Sequence, residues 1–516
     1  MTNDSSIPPQ GKETQALVIG AGIAGLLAAH VLSTQYDQVL VVERDGLPET
    51  PEYRTGTPQS FHLHRLLSRG IYTLKNLFPD IISELLQNGA VSTLHGKMRV
   101  VNRFGQFDLP IPGEEAACSR ALLEWTIRQR VQALPNVHFS TKLEVIGLQT
   151  NPEQTRLIGV HVRPRGQVQE SSTLLADLII DASGYSTKLS QWLRELGYDV
   201  PEAEHLKTAL GYSTRYYRVP PHFAKEQLGI VIDGQIGTPY AFALLMENNL
   251  WHVTLFGAGG QYPATDDKGF DQRLRQITDP VLAEILQAEP VASPRGYRIP
   301  LCLRQRFEQM ERWPSGLLVM GDALCNLDPI YGQGMSVAAA EAETLARCLN
   351  EHRSNPQPDF ERRTLASFQK AIEPAWWSSA VADLRWPGVT YTGQEPPKAV
   401  TLIQRYLDLY LQEATRWMEE QASHDSDDPP MKPDPFAPQP SFIAYSLMNG
   451  LTISPKVVFN ATTYRLLLEI EATQAGPHRL QDLTEQHHLS LEEILDRVLP
   501  PFLLTFYSPR TALATN

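Results

Sequence analysis

Residues 16–29 read Ala16-Leu17-Val18-Ile19-Gly20-Ala21-Gly22-Ile23-Ala24-Gly25-Leu26-Leu27-Ala28-Ala29. A short apolar run enters a GxGxxG turn, and strong helix formers follow it, so the spacing predicts strand, turn, helix. Each glycine has its own reason: Gly20 for the tight turn, Gly22 so that a pyrophosphate can approach the backbone, and Gly25 for close packing of helix on strand. The apolar stretch 16–33 approaches the length of a membrane span, but three glycines within six residues break it where a spanning helix prefers continuous bulk.

Working outward, Val39-Leu40-Val41-Val42 reads as a second parallel strand ending in Glu43, eighteen residues after Gly25. A carboxylate there accepts hydrogen bonds from an adenosine ribose and repels a 2′-phosphate. The pocket is therefore expected to hold FAD or NAD rather than NADP, with Arg44 beside Glu43 as a further cofactor-binding candidate.

Two downstream segments choose between these. Residues 176–186 form an apolar strand pattern ending in Asp181-Ala182-Ser183-Gly184, and residues 317–323 form another ending in Gly321-Asp322. Small residues at strand tips let backbone amides approach a ligand, and Asp181 or Asp322 can accept hydrogen bonds from a ribityl chain. Asp181 equally suits a cap of its local turn. A helix beginning near Gly334-Met335 would aim its N-terminal amides at the region of a reduced flavin that carries negative charge. The combination favours FAD.

The order GxGxxG, then Cys118-Ser119-Arg120 leading into a helix pattern, then DASGYS, then GDALCNLDPIYGQGMS resembles the class A flavoprotein monooxygenases, whose fold is shared by p-hydroxybenzoate hydroxylase, flavin-dependent halogenases and squalene-type epoxidases. Residues 54–64 (RTGTPQSFHLH), with ACSRALLEWTIR and WPSGLLVMGDALCNLDPIYGQGMS, are similar to the bacterial branch containing the polyether epoxidases of the lasalocid and monensin pathways and related halogenase-like flavoproteins. The resemblance spans about residues 15–390 and implies an α/β fold: a parallel Rossmann-type sheet binding FAD, an interposed mixed β-sheet substrate domain and a helical C-terminal cap. It implies that Arg120 contacts the ribityl or phosphate region and Asp322 the ribityl or pyrophosphate region. Pro329, Gly332, Gly334 and Met335 are then ring-proximal, and Arg54 or His62 contacts flavin or substrate, a structural histidine being the alternative.

The resemblance also implies the chemistry: a flavin C4a-hydroperoxide is itself the electrophile, so the protein supplies no metal and no nucleophile, only a dry apolar pocket. Residues 212–219, 229–232, 240–246 and 250–256 read as strands rich in Tyr, Phe and Leu, together with Trp251, and suit a hydrophobic substrate, to be epoxidised or hydroxylated with O2 in specialised metabolism. Rival readings are a geranylgeranyl reductase-like double-bond reductase, a halogenase (the WxWxIP string of the tryptophan branch is absent) and a non-enzymatic flavin-binding protein. DASGYS replaces the Asp-Gly pair that many NADPH-using hydroxylases carry. Two electron sources stay open, NAD(P)H docking in the groove or a separate flavin reductase.

The composition sets the outer limits. With 516 residues, 42% of them hydrophobic and 20% charged, the chain is an ordinary globular protein of about two to four structural units. Its 45 Lys and Arg against 58 Asp and Glu leave a net charge of −13, which disfavours nucleic acid as a partner. Cys118, Cys302, Cys325 and Cys348 form no CxxC pair, and His62 and His64 lack a third ligand at metal spacing, so no metal is expected. A reducing cytoplasm fits, and the polar start lacks a signal-peptide pattern. The expected organisation is a disordered tail at 1–14, a discontinuous FAD-binding domain at 15–204 and 301–385, a substrate domain at 205–300, and a helical region at 386–516. Within the last, the Pro/Asp-rich stretch 423–440 reads as a loop or lid, His487-His488 as solvent-facing, 489–498 as a short helix, and the apolar 502–507 as core or a peripheral membrane contact.

Overall fold

The computed structural model describes residues 13–167, 170–220, 223, 226–233, 240–393, 399–423, 439–472, 479–486, 488, 490 and 493. Residues 1–12, most of the 423–440 stretch, His487, nearly all of 489–498 and the 502–507 segment lie outside the described residues.

The first strand, Gln15–Ile19, sits at the centre of a five-stranded sheet in the order Leu317–Val319, Leu178–Asp181, Gln15–Ile19, Gln38–Glu43, Val137–Thr141. Every pairing in it is parallel. Strands buried on both faces need unbroken apolar runs, and Ala16, Leu17, Val18, Val39, Val41, Ile179 and Leu318 supply them. Parallel pairing also brings the carboxyl ends of three strands together, so Gly20, Glu43 and Asp181 share one edge, with Gly321 just beyond the fourth. In open α/β sheets that edge is where ligands bind. The helix Ile23–Ser33 is buried along most of its length because the long helix Gly334–Ser354 packs on its outer side; small Ala28 and Ala29 permit the approach.

A seven-stranded mixed sheet stands beside it in the order Arg295–Ile299, Leu210–Arg218, Leu250–Gly257, Tyr240–Met246, Gln227–Ile232, Lys97–Asn102, Gly105–Pro110. The strands expected between 212 and 256 are present here. The last two correct the expected domain limits: the hairpin 97–110, assigned by sequence to the cofactor domain, completes the substrate sheet through parallel pairing of Lys97–Asn102 with Gln227–Ile232. Side chains alternate across the sheet. Trp251, Val253 and Leu255 face outward with Tyr217 onto Phe270, Leu274, Leu282 and Ile285 of two short helices. Register places Tyr212, Thr214 and Tyr216 opposite Phe256, Thr254 and His252 on the other face, which looks toward the cofactor half.

The C-terminal region is helical as expected, with Val400–Ser423, Phe442–Asn449, Pro455–Val458, Ala461–Ala472 and Leu480–Gln486. It has its own core around Ile403, Tyr406, Phe459, Leu467 and Leu480. It is fastened to the substrate sheet by the edge-on rings of Phe107 and Phe442, 4.9 Å apart, and by Asn102 Nδ2 donating to Thr415 Oγ1 at 2.9 Å. Among the described residues no helix is long and apolar enough to cross a membrane.

Candidate active site

The glycine turn divides its labour as the sequence implies. Gly20 has φ +100°, and a Cβ on it would stand 2.5 Å from the Ala182 carbonyl oxygen. A Cβ on Gly25 would collide with the Gly20 carbonyl oxygen. These two glycines serve packing. Gly22 is different: where its Cβ would be, the nearest atom is Arg120 Nη2 at 4.0 Å. As N-cap of Ile23–Ser33 it leaves the first helical amides uncapped by any side chain.

Glu43 turns back onto this turn, accepting from Ala21 N at 2.8 Å and Asp45 N at 2.9 Å. Arg54 lies against it at 3.3 Å, donates to the Ala21 carbonyl at 3.2 Å, and pairs with Asp45 at 3.2 Å and Glu124 at 2.9 Å. Glu124 is shared with Arg120, 2.7 Å away. Burial opposes ionisation of Glu124, but Arg120 and Arg54 more than offset it and hold its carboxyl below the usual range. Three buried carboxylates thus hold Arg54, a ring-proximal candidate from the sequence, beside the glycine turn. Arg44 is exposed, its Nη1 3.5 Å from Ser186 Oγ.

At the second strand tip, Asp181 commits both oxygens locally, accepting from Ser183 N at 2.9 Å and Thr187 Oγ1 at 2.6 Å. It caps its own turn, the alternative that the sequence left open. The exposed Asp322 carboxylate makes no hydrogen bond or ion pair among the described residues, and nearby protein raises its pKa against the pull of Arg120. The preceding Gly321 N donates to Glu341 Oε2 at 2.8 Å. Glu341 is fully buried, its other oxygen has no hydrogen-bond partner, and burial pushes it up to about 8.

The 328–335 turn closes the groove. Gly332 adopts φ +64°, which favours glycine, and no atom lies within 4 Å of where a Cβ on Gly334 would stand. Gly334 opens a helix of 21 residues with no acidic side chain in its first turn, so its positive end faces the groove unneutralised. Pro329 is half-buried, while Met335 is buried in the main core and offers the groove only backbone.

Behind this turn the structure assembles a group that sequence reasoning missed. Asp328 Oδ1 accepts from Ile330 N at 2.8 Å, and Tyr331 donates to Asp383 Oδ1 at 2.8 Å. The two aspartates are almost wholly buried, the charge of Asp328 raises the pKa of Asp383, and neither Oδ2 has a hydrogen-bond partner among the described residues. The available signal was helical spacing: Asp383 follows Ile372, Trp376 and Ala380 on the buried face of Phe360–Asp383.

The sheet wall opposite is polar in a restrained way. His62, 4% exposed, shares a hydrogen bond with Thr214 Oγ1 at 2.8 Å, and Thr214 with Thr254 Oγ1 at 2.7 Å. Burial, with His64 and Arg295 nearby, drives His62 down to about 3. Burial likewise takes His64 down to about 4 and His252 to about 3. All three are neutral at physiological pH. Tyr216 stacks on His252 at 3.9 Å and meets the Tyr53 hydroxyl at 2.9 Å. The wall is thus aromatic and uncharged, able to shed water and still orient a polar substituent.

A protein family described as "FAD binding domain" matches residues 13–356. Protein Rv3254 of Mycobacterium tuberculosis is 32% identical over 400 residues, covering 73% of this chain and 81% of that protein. Kynurenine 3-monooxygenase of Xanthomonas euvesicatoria is 27% identical over 361 residues, covering 65% of this chain and 71% of the enzyme. Among solved structures, a flavoprotein/dehydrogenase from Cytophaga hutchinsonii superposes with a TM-score of 0.59 at 14% identity, over 92% of this chain and all of that one, a likeness of fold alone.

Proposed function

Because this chain belongs to the FAD-binding flavoprotein family that includes class A monooxygenases, we propose that it uses O2 to oxygenate a hydrophobic small molecule, by epoxidation or hydroxylation, in the specialised metabolism of a cytoplasmic setting. One oxygen atom enters the substrate and the other leaves as water, with two electrons and two protons supplied through NAD(P)H or a separate flavin reductase. Bound FAD supplies the electron storage and the activation of O2.

The observation that carries the reading is the pair of open positions, Gly22 just beyond the central strand of the parallel sheet and Gly334 at the start of the long helix. A Cβ at either would project into space that a long cofactor fills. On this reading Gly20 and Gly25 shape the turn, and the amides after Gly22 receive the pyrophosphate. Glu43 faces the adenosine ribose, with Arg44 flanking that end. Arg120 and Asp322 flank the ribityl chain. The helix beginning at Gly334 presents its positive end to the ring, where it favours the negative charge of the reduced state, and Pro329 and Gly332 line the same side. Asp181 acts at one remove by fixing the 182–187 turn.

The substrate wall excludes water and carries no protonated histidine, so it offers no acid to decompose an activated oxygen species. His62 donates or accepts one neutral hydrogen bond through Thr214.

The test is to mix chemically reduced holoprotein with isotopically heavy O2 and a panel of apolar aromatic and olefinic compounds, and to weigh the products. A product gaining one heavy oxygen supports the reading. Anaerobic saturation of a double bond replaces it with the reductase, and a halogenated product in the presence of bromide or chloride replaces it with the halogenase.

A further inference from the structure

Two threonines decide which nitrogen of His62 carries its hydrogen. Thr254 Oγ1 lies 2.7 Å from Thr214 Oγ1, and Thr214 Oγ1 lies 2.8 Å from His62 Nδ1. Both threonines are fully buried, and neither hydroxyl has another partner among the described residues. The His62 ring is neutral, so one of its nitrogens is protonated and the other is bare. Were the protonated one Nδ1, it would donate to Thr214. Whichever way the two hydroxyls then turned, one buried hydroxyl hydrogen would be left with no acceptor, at the full cost of its desolvation. The reverse order uses every hydrogen: Thr254 donates to Thr214, Thr214 donates to Nδ1, and the ring hydrogen sits on Nε2.

The two nitrogens of an imidazole point to opposite sides of the ring. Nδ1 is turned onto Thr214, on the face of the substrate sheet that looks toward the cofactor half, so Nε2 is turned off the sheet toward that half. There it has no hydrogen-bond partner among the described residues, although the side chain is buried. Tyr212 stands edge-on to the ring at 4.5 Å and Tyr297 is tilted against it at 6.0 Å, and both tyrosines feel the charge of Asp322 beyond the tip of the facing parallel sheet. The Tyr212 hydroxyl is likewise without a partner among the described residues, and burial keeps its proton in place. A buried N–H left empty is costly. What answers a wall of uncharged donors is an oxygen with lone pairs and no hydrogen of its own, which is a carbonyl.

We infer that His62 presents a fixed Nε2–H donor to the substrate, so that the substrate class is an apolar molecule carrying a carbonyl oxygen. This rests on the monooxygenase reading for the term substrate; the recognition itself is a binding event that needs no turnover.

The experiment titrates oxidised holoprotein with methyl naphthyl ketone and with isopropenylnaphthalene, which has the same shape with a methylene in place of the carbonyl oxygen, following the visible flavin spectrum and tryptophan fluorescence. The alkene is the more apolar of the two, so the quantity read is the ratio of ketone to alkene affinity in native protein against that in His62→Phe. The ratio should be about tenfold higher in native protein, the scale of filling a buried donor, with FAD content and flavin reduction potential unchanged in the variant. His62→Gln, which returns an N–H near the Nε2 position, should recover part of it. Nitrogen NMR of holoprotein carrying isotope-labelled histidine should show a bare Nδ1 and a protonated Nε2 in the signals lost in His62→Phe. Equal ratios in native protein and His62→Phe, no binding of the ketone, or a protonated Nδ1 overturns the inference. So does lowered FAD content or a shifted flavin potential in His62→Phe, which would turn the N–H onto the cofactor. Failure of oxygen transfer, by contrast, bears on the proposed reaction and leaves the ketone preference standing.

Discussion

Tyr331 donates its phenolic hydrogen to Asp383 across 2.8 Å, tying the turn before Gly332 to the end of a helix fifty-two residues further on. Asp383 in turn lies within the field of Asp328, whose Oδ1 caps that same turn. Burial pushes Asp328 up to about 6 and, with the charge of its neighbour, Asp383 well above the ordinary carboxyl range. The folded pair holds protons that the unfolded chain gives up near pH 4, so its contribution to stability is fully present below that pH. It declines as pH rises through 6. Asp383→Asn keeps an acceptor for Tyr331 and removes one titration. Thermal unfolding across pH 4 to 8 should show the variant gaining on the native protein as pH rises; a pH-independent difference would refute the raised titration of the pair.

Gly22 and Gly25 are expected to fail differently. Gly22→Val has room for its side chain in the protein alone and should fold near normally while losing FAD. Gly25→Ala drives a methyl into the Gly20 carbonyl and should lower the melting temperature with or without cofactor. The ratio of flavin to protein absorbance, read beside the melting curve, separates the two. Stoichiometric FAD in Gly22→Val would remove the pyrophosphate assignment.

Removing Arg54 leaves Glu43, Asp45 and Glu124 short of a cation in a setting where the arginine side chain is only 7% exposed. Arg54→Met should cost about 3 kcal/mol or more, the scale of breaking a buried pair. Urea denaturation measures it. A loss under about 1 kcal/mol would mean that the cluster is solvated in solution.

Glu341 holds the Gly321 amide and stays protonated up to about pH 8. Glu341→Gln keeps an acceptor for that amide and should retain FAD. Glu341→Ala leaves the amide buried without a partner, loosens the Asp322 turn and should weaken FAD binding by about tenfold. The native protein should also lose FAD affinity as pH rises through 8, while Glu341→Gln does not. Equal affinity of all three proteins across pH 6 to 9 would show that the contact plays no part in cofactor binding.

The elements that sequence disclosed are those written in local spacing. The Gly20 to Gly25 turn, Glu43 at a strand tip and the alternating strands between 210 and 257 each follow from a period or an offset, and register then set Tyr212, Thr214 and Tyr216 on one face. The partners of Arg54 were not legible because residues 44–67 have little regular period; its place is fixed by Glu124, seventy residues away. The domain limits left the hairpin 97–110 outside the substrate sheet for a similar reason, since its partner strand begins at Gln227. Asp181 read as ligand or turn cap, and the Thr187 hydroxyl supplies the cap. The His62–Thr214 contact and the Asp328–Asp383 pair are products of tertiary proximity, although helical phase already set Asp383 on a buried face.

The parallel pairing of Lys97–Asn102 with Gln227–Ile232 has a further consequence. The wall that would meet substrate is stitched from chain made both before and after two strands of the central sheet, Val137–Thr141 and Leu178–Asp181. A nascent chain can lay down its first hairpin early, but that hairpin waits for more than a hundred residues of synthesis before its neighbour exists. An excised fragment of residues 205–300 would present Gln227–Ile232 as a bare apolar edge, an invitation to pair with other copies. Residues 205–300 therefore do not carry the whole sheet, and moving them into another chain would leave the 97–110 strands behind.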